Sequence, residues 1–519
     1  MPPPDVAKVT PEKPKPPIVL SARVIESWLA RYPQALAVKT EVAAAKAPPA
    51  MKYEMERAVC EERVVVHQDP TDPAKSPRGL VIAGGKLNLT ATRVNGEVGQ
   101  IMTVTAAPNQ IAQVHFETLS LFGPTIKIDQ VSNTVAIDGI GSMLMPSTSD
   151  FSGTPTDGVN ELEIRWKRSM FFNGAKGSAE FLEQVNATQS PAREGLVPRP
   201  EKAPAPRTLP VSVKLDEKAG DGGSWGRTRV LCHRMDVTFD RPIYFNQFRR
   251  DASAGAAKDP QESPKLKTAL CVPIPDDELT PQTNPLTRKV TFTEESYTRA
   301  NRPLKFQRIE CQQLEVRLRE KSQEMFATGP GEVRFLQPDS SEWGKPTPPP
   351  TPAVAKKSGE AAPFKLTLVK YTNRMVAVDK NKLFQSATFA DGANAWQIPT
   401  NDINLKFLAH QAPEGTTTLS CSQSLEVSSS RPRPDAEAEL SMVALGNAEF
   451  SNDDYDGLAT RITYDSKLVT LYGTSERLAS IYRRKRSLNE PQALRARTIK
   501  YPKYGTISAD EAGTGVFTP

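Results

Sequence analysis

Residues able to do covalent or acid–base chemistry are few here: five cysteines and four histidines in 519 residues. Only Cys232 and His233 are adjacent. A thiolate–imidazole dyad needs both groups on one side of the chain, and neighbours on a strand point to opposite faces. The spacing therefore argues against a nucleophile and its base, and His67, His115 and His410 are scattered. No Cys-x-x-Cys pair occurs, and an odd cysteine count cannot pair fully within one chain. Ala83-Gly84-Gly85-Lys86-Leu87 lacks the leading Gly and the following Ser or Thr of a phosphate loop, and Gly329-Pro-Gly331 carries a proline. The sequence predicts no catalytic residue, no metal ligand and no cofactor.

One basic run stands out, Arg483-Arg484-Lys485-Arg486, placed by the pattern on a short helix from Glu476 to Lys485. It reads as a solvated face or, as a site, as a contact for anionic headgroups and lipid phosphates. Interleaved stacking aromatics are missing, and Lys plus Arg exceed Asp plus Glu by only 66 to 60, so nucleic acid is not an expected partner.

Forty-six prolines and a 38% hydrophobic fraction imply Pro-rich connectors alternating with segments able to bury a core. No run approaches the roughly 18 apolar residues of a transmembrane helix. Pro-rich tracts lie at the amino terminus, from Pro191 to Pro210, and from Lys345 to Pro363. They suggest an N-terminal segment (1–50), a first β region (51–345), a linker (346–363) and a second β region (364–519). The opening MPPPDVAKVTPEKPKPPI lacks the apolar core of a secretory leader.

Val24, Ile25, Trp28 and Leu29 behind Ser21 predict a short amphipathic helix between Leu20 and Gln34. Elsewhere period-two alternation dominates, as in Ile126/Ile128, Val135/Ile137, Leu162/Ile164/Trp166, Val290/Phe292 and Ile403/Leu405/Phe407. Half-buried strands follow.

A repeat organises them. Val230-Leu-Cys232-His-Arg-Met235-Asp-Val237, Ile309-Glu-Cys311-Gln-Gln-Leu314-Glu-Val316 and Leu419-Ser-Cys421-Ser-Gln-Ser-Leu425-Glu-Val427 share a signature, with Ala58-Val-Cys60 as a weaker copy. Met235, Val237 and Phe239, or Leu314, Val316 and Leu318, fall on the opposite parity to the preceding cysteine. A straight strand cannot bury both sets, so the chain must turn a corner just after the Cys. The cysteines then fill places where a small buried side chain is wanted, a disulfide between stacked rungs being the alternative. A second repeat pairs Trp166…Met170, Ala179-Glu-Phe181 and Ala187 with Tyr371…Met375, Ala387-Thr-Phe389 and Ala395, as a hairpin with a variable loop would.

The tail, Val443-Ala-Leu-Gly446-Asn447-Ala-Glu-Phe450, Gly457-Leu-Ala-Thr-Arg-Ile462-Thr-Tyr464-Asp465, Leu468-Val-Thr-Leu471-Tyr-Gly473 and Leu494-Arg-Ala496-Arg-Thr-Ile499-Lys-Tyr501, resembles the OstA-like repeats of lipopolysaccharide-transport proteins, in which a Gly-Asn turn ends one rung. The blocks at Cys311 and at Ala327–Val333 look like further rungs. The chain departs from the family's small periplasmic bridge protein in its length, its cysteines where Ala is usual, and its Pro-rich insertions. The resemblance implies an all-β fold of strand–corner–strand rungs, an elongated β-jellyroll or β-taco in one unit or two stacked ones. It also implies a periplasmic, non-enzymatic protein that binds lipopolysaccharide or another lipid and pairs by edge strands with other β-jellyroll proteins of envelope transport. The groove candidates are Met170, Phe172, Met235, Val237, Phe239, Leu314, Val316, Leu318, Met375, Leu425 and Val427. The competing reading is a structural β-repeat scaffold without lipid cargo. A closed, filled interior would favour the scaffold, and an open apolar groove the lipid.

Overall fold

Alternating apolar residues over most of the chain fold as strands, and in a computed structural model thirty-two of them join in one large antiparallel sheet. The structure describes residues 17–33, 51–69, 79–94, 97–116, 119–149, 155–191, 224–243, 266–279, 288–298, 303–319, 322–338, 364–380, 384–400, 402–430, 439–465, 468–484, 493–502 and 507–512. The first strands are β1 (Ile18–Ser21), β2 (Val24–Pro33), β3 (Met51–Gln68), β4 (Leu80–Val94), β5 (Glu97–Thr105), β6 (Ala112–Phe116), β7 (Leu119–Gly123), β8 (Thr125–Asp129), β9 (Thr134–Asp138), β10 (Gly141–Ser149) and β11 (Pro155–Trp166). There follow β12 (Ser169–Asn173), β13 (Ser178–Pro191), β14 (Ser224–Phe239), β15 (Leu266–Val272), β16 (Val290–Thr298), β17 (Pro303–Cys311), β18 (Gln313–Arg319), β19 (Ser322–Thr328), β20 (Gly331–Pro338), β21 (Phe364–Tyr371) and β22 (Arg374–Lys380). The last are β23 (Phe384–Ala390), β24 (Ala393–Pro399), β25 (Thr417–Cys421), β26 (Ser424–Ser430), β27 (Glu439–Ser451), β28 (Tyr455–Asp465), β29 (Leu468–Tyr472), β30 (Ala479–Arg483), β31 (Ala493–Pro502) and β32 (Ser508–Ala512).

The pairings sort them into two walls. The first wall runs β1, the end of β3, the start of β4, β6, β7, β10, β11, the end of β13, the start of β14, β16, β17, β20, β21, β24, β25, the end of β27, the start of β28, β30 and the start of β31. The second wall runs β2, the other halves of β3 and β4, β5, β8, β9, β12, the other halves of β13 and β14, β15, β18, β19, β22, β23, β26, the other halves of β27 and β28, β29, the end of β31 and β32. Each rung crosses from one wall to the other through a corner, so the sheet is folded over along its length.

The corners have a local cause. In β3, β13 and β27 two successive residues take positive φ, Glu62 (59°) and Arg63 (55°), Glu183 (67°) and Gln184 (48°), Gly446 (77°) and Asn447 (44°), and the pairing register skips at each pair. The extra residues re-aim the side chains, which lets both arms of a rung face inward. The strand breaks at Lys167–Arg168, Gln312 and Ser422–Gln423, whereas β4, β14 and β28 run on unbroken, with Gly85, His233 and Thr460 passed over in the pairing opposite those left-handed residues. The corner expected after Cys311 and Cys421 is thus present, and the extra residue of the third copy is the second residue of that break.

Three expectations are corrected. The helix between Leu20 and Gln34 is instead β1 and β2, both paired to β3. The helix from Glu476 to Lys485 is a turn leading into β30. Gly446-Asn447 does not end a rung but bends one in the middle. The Pro-rich tracts beginning at Pro191 and Lys345 lie almost wholly outside the described residues, yet the strands flanking them are direct neighbours, with Gln189 opposite Thr228 and Pro338 opposite Phe364. The sheet therefore continues past both tracts.

An L side chain at Gly446 must adopt φ near +77° and would bring its Cβ to 2.8 Å from Ser422 Oγ. Gly446→Ala is expected to lower the unfolding free energy by about 1–2 kcal/mol, read from the urea midpoint, whereas Asn447→Gly should change it by less than about 0.5 kcal/mol.

Candidate functional site

The interior of the fold is built in rows that run across the strands. Next to the corner, the second wall carries one apolar side chain per strand in unbroken register: Cys60, Leu87, Val104, Ile126, Ile137, Met170, Phe181, Met235, Cys271, Leu314, Ala327, Met375, Phe389, Leu425, Ala444, Ile462, Leu471 and Ile499. All are buried. Facing them, the first wall's corner row is mostly small: Ala112, Gly123, Gly141, Cys232, Cys311, Gly331, Ala393, Cys421, Ala448, Ala459, Ala479 and Ala496. Large residues on one wall meet small ones on the other, which lets the walls close at packing density.

The groove candidates come together on this second wall. Met170, Met235, Leu314, Met375 and Leu425 belong to its corner row; Phe172, Val237, Val316 and Val427 form the next row out; Phe239 and Leu318 stand one step further. Met170, Phe172, Met235, Val237, Phe239, Leu314, Val316, Met375 and Leu425 are all 9% exposed or less, and Leu318 and Val427 are half-buried against them. With no ligand present they are already covered by the protein itself, so a lipid tail reaching Met235 must part the walls.

Aromatic pairs brace the closure. Trp166 of the first wall meets Phe181 of the second at 5.4 Å between ring centroids, Tyr371 meets Phe389 at 5.6 Å, and Tyr455 meets Tyr501 at 5.3 Å. Trp166 lies across Gly141 and Tyr371 across Gly331, each glycine being the register partner of its aromatic. This explains the second sequence repeat: the aromatic covers a bare strand position and reaches the far wall.

Further out the lining changes character. On the first wall the third row is continuously apolar at Leu80, Phe116, Leu119, Met145 and Leu162, all half-buried. From there it reads Gln189, Thr228, Glu294, Gln307, Phe335, Thr367, Gln397 and Thr417, each opposite the next. The facing row on the second wall is apolar at Phe239 and Leu318 and polar at Gln323, Asp379, Gln385 and Ser429. The mouth of the fold is therefore apolar near one end and mostly polar through the middle.

The sequence matches no protein-family model, and no curated protein matches it. What the interior can do is read from its geometry alone.

Its titratable groups are silent. Burial pushes the Cys232 thiol well above its ordinary range and the Cys311 thiol to about 12, and it raises the Tyr371 hydroxyl as well. Thiols held protonated this way are poor nucleophiles. His233 faces away from Cys232 towards Glu278, Nε2 to Oε2 3.8 Å. Among the described residues no group of three or more His, Cys, Asp or Glu is placed to hold a metal ion. Of the basic run, Arg483 and Arg484 are exposed at and just past the end of β30, and Arg484 pairs with Asp456 at 2.9 Å; Lys485 and Arg486 lie outside the described residues.

Two features escaped the sequence reading. His115 and Ser120 are cross-strand partners in the β6–β7 hairpin, both buried on the outer face, with Nδ1 and Oγ 2.8 Å apart and the ring edge-on to Phe122. Their symmetric placement about the turn was the available signal, but at 8% and 4% exposure neither atom meets a substrate. The second is an outer-face core. Leu336, Leu366, Leu368 and Ile398 point away from the interior and are covered by Phe306, Phe364, Trp396 and the segment bearing Ile403, Leu405 and Phe407. That segment, expected as a strand, is a loop. Arg334 Nη1 donates to the carbonyls of Ile403 at 2.8 Å and Leu405 at 2.9 Å, which holds it down.

A Cβ at Gly331 would collide with the Tyr371 ring and stand 2.7 Å from the Glu310 carbonyl oxygen. Gly331→Ala should destabilise by about 1–3 kcal/mol, seen as a lower urea midpoint. The raised thiol of Cys311 sets a pH dependence. Above its ordinary value of 9.0 the unfolded chain loses this proton while the folded chain keeps it up to about 12, so stability falls as pH rises through that window. Cys311→Ala is expected to flatten that fall in unfolding titrations from pH 9 to 12 while leaving the slope near neutrality unchanged.

Proposed function

We propose that this protein is a non-enzymatic bridging scaffold of OstA-like architecture, spanning an envelope space such as the periplasm. The observation that carries the reading is the closed interior. Its corner row is buried from Cys60 to Ile499, the row above it is buried over most strands and half-buried at Ala377, Ala387, Val427, Met442 and Tyr464, and the first wall's third row is polar from Gln189 to Thr417 except at Phe335. A lipid track must be continuous, and the half-open apolar stretches among the described residues, over β4–β11 and over β22–β28, lie in different rows on different walls. A continuous sheet suits a span: at about 4.8 Å per strand the first wall extends roughly 85 Å.

The terminal rung supports attachment to a partner. β1 and β2 pair with β3 on one side only among the described residues, and Val24, Ile25, Trp28 and Leu29 are 42–60% exposed. An apolar edge of this kind favours strand addition by another β-jellyroll.

A second reading has its own observation. Leu80, Phe116, Leu119, Met145 and Leu162 give the mouth a half-open apolar strip over β4–β11, where an acyl chain of lipopolysaccharide or another lipid fits locally.

A photo-crosslinking amino acid placed at Met145 and, separately, at Val316 tests both in cells of a double-membraned bacterium, with lipid adducts read by mass spectrometry. The scaffold reading expects none at either position. An adduct at Met145 alone supports the local lipid strip, and one at Val316 would overturn the sealed interior.

A further inference from the structure

Three cysteines meet at one stretch of the corner. Cys271 stands in the second wall's corner row between Met235 and Leu314. Cys232 and Cys311 stand on the first wall, each three residues before one of those neighbours and therefore just across the bend from Cys271. All three are 1% exposed or less and all are free thiols. Burial and then the neighbouring Cys271 raise the Cys232 thiol, and burial and then Cys271 raise the Cys311 thiol, where the backbone of Gln313 acts the other way. Cys60 and Cys421 lie on distant rungs.

We propose that Cys232 and Cys271 are a redox pair whose oxidised form is a disulfide joining the two walls at the corner. The oxidant is an external disulfide, carried by a small thiol or a thiol-oxidising protein. One cysteine thiolate attacks it to give a mixed disulfide and one released thiol. The second thiolate then attacks the first cysteine's sulfur in that mixed disulfide and releases the other external thiol. The net change is one new S–S bond in the chain, with its two electrons and two protons passing to the external pair. Burial of both thiols keeps reagents out of the closed corner, so exchange runs while the walls are still apart. Closure then locks whichever state was reached, and an oxidising compartment selects the bonded one.

The test uses the full chain, reduced and unfolded, then refolded in mixed reduced and oxidised glutathione. Remaining thiols are blocked under denaturing conditions before intact mass and non-reduced peptide mapping. The expected result is a chain about 2 Da lighter than the reduced form before blocking, with one linked peptide pair carrying Cys232 and Cys271. Cys311→Ala should give the same linked pair; the wild-type map decides the matter if that variant does not refold. Five blocked thiols, glutathione adducts in place of the link, or a bond from Cys271 to Cys311 would each overturn the proposal.

Discussion

The fold depends on one constraint: every strand must deliver an apolar side chain to the same row beside the corner. Antiparallel pairing fixes which residues are neighbours, and a slip of one residue would turn a whole strand's apolar set to solvent. The row from Cys60 to Ile499 survives because each corner restores the inward parity that bending would otherwise lose. In β3, β13 and β27 two successive left-handed residues make that correction, and the continuous strands β4, β14 and β28 pass one residue over opposite them. Where it breaks, one or two unpaired residues do. Closure of the walls then needs a size rule, since two rows of Met, Phe and Leu would overpack. Cys, Ala and Gly on the first wall supply the room, and the raised thiol and phenol ionisations follow from that same dry contact.

Much of this was legible in the sequence because the size rule and the parity switch both leave marks there. The Cys-x-x-Met and Cys-x-x-Leu blocks show the corner directly: two residues separate two side chains that both point inward. The aromatic-to-Met blocks show it again, though the glycines that Trp166 and Tyr371 cover are 25 and 40 positions upstream, and nothing local ties them together. β2 was illegible for a different reason. Its side chains are exposed on both faces, so burial imposes no period-two pattern, and Val24, Ile25, Trp28 and Leu29 fall at helical spacing by default. Pairing with β3 decided the outcome, and a partner strand is not visible from within the segment.

The outer-face core defeats period reading in the opposite way. β21, Phe364–Tyr371, is apolar at Leu366 and Leu368 on one face and at Val369 and Tyr371 on the other. A strand buried on both sides shows no alternation. The loop that covers it does alternate, at Ile403, Leu405 and Phe407, because an extended segment laid on a surface presents every second side chain to it without joining a ladder. Alternation reports which side is buried, and it is silent on whether the backbone is paired.

A sheet folded this way is close to one-dimensional, since each rung touches only its neighbours and stability accumulates rung by rung. Such a structure closes rung by rung along its length but not at its ends, where the last rung has a partner on one side alone among the described residues. The interior rows make the difference visible: Cys60 is fully buried, while Ile25, its register partner on the terminal rung, is 49% exposed. Among the described residues the same row is incomplete here, and an apolar side chain opposite Ile25 with a backbone edge opposite β2 would continue it as each rung continues the one before.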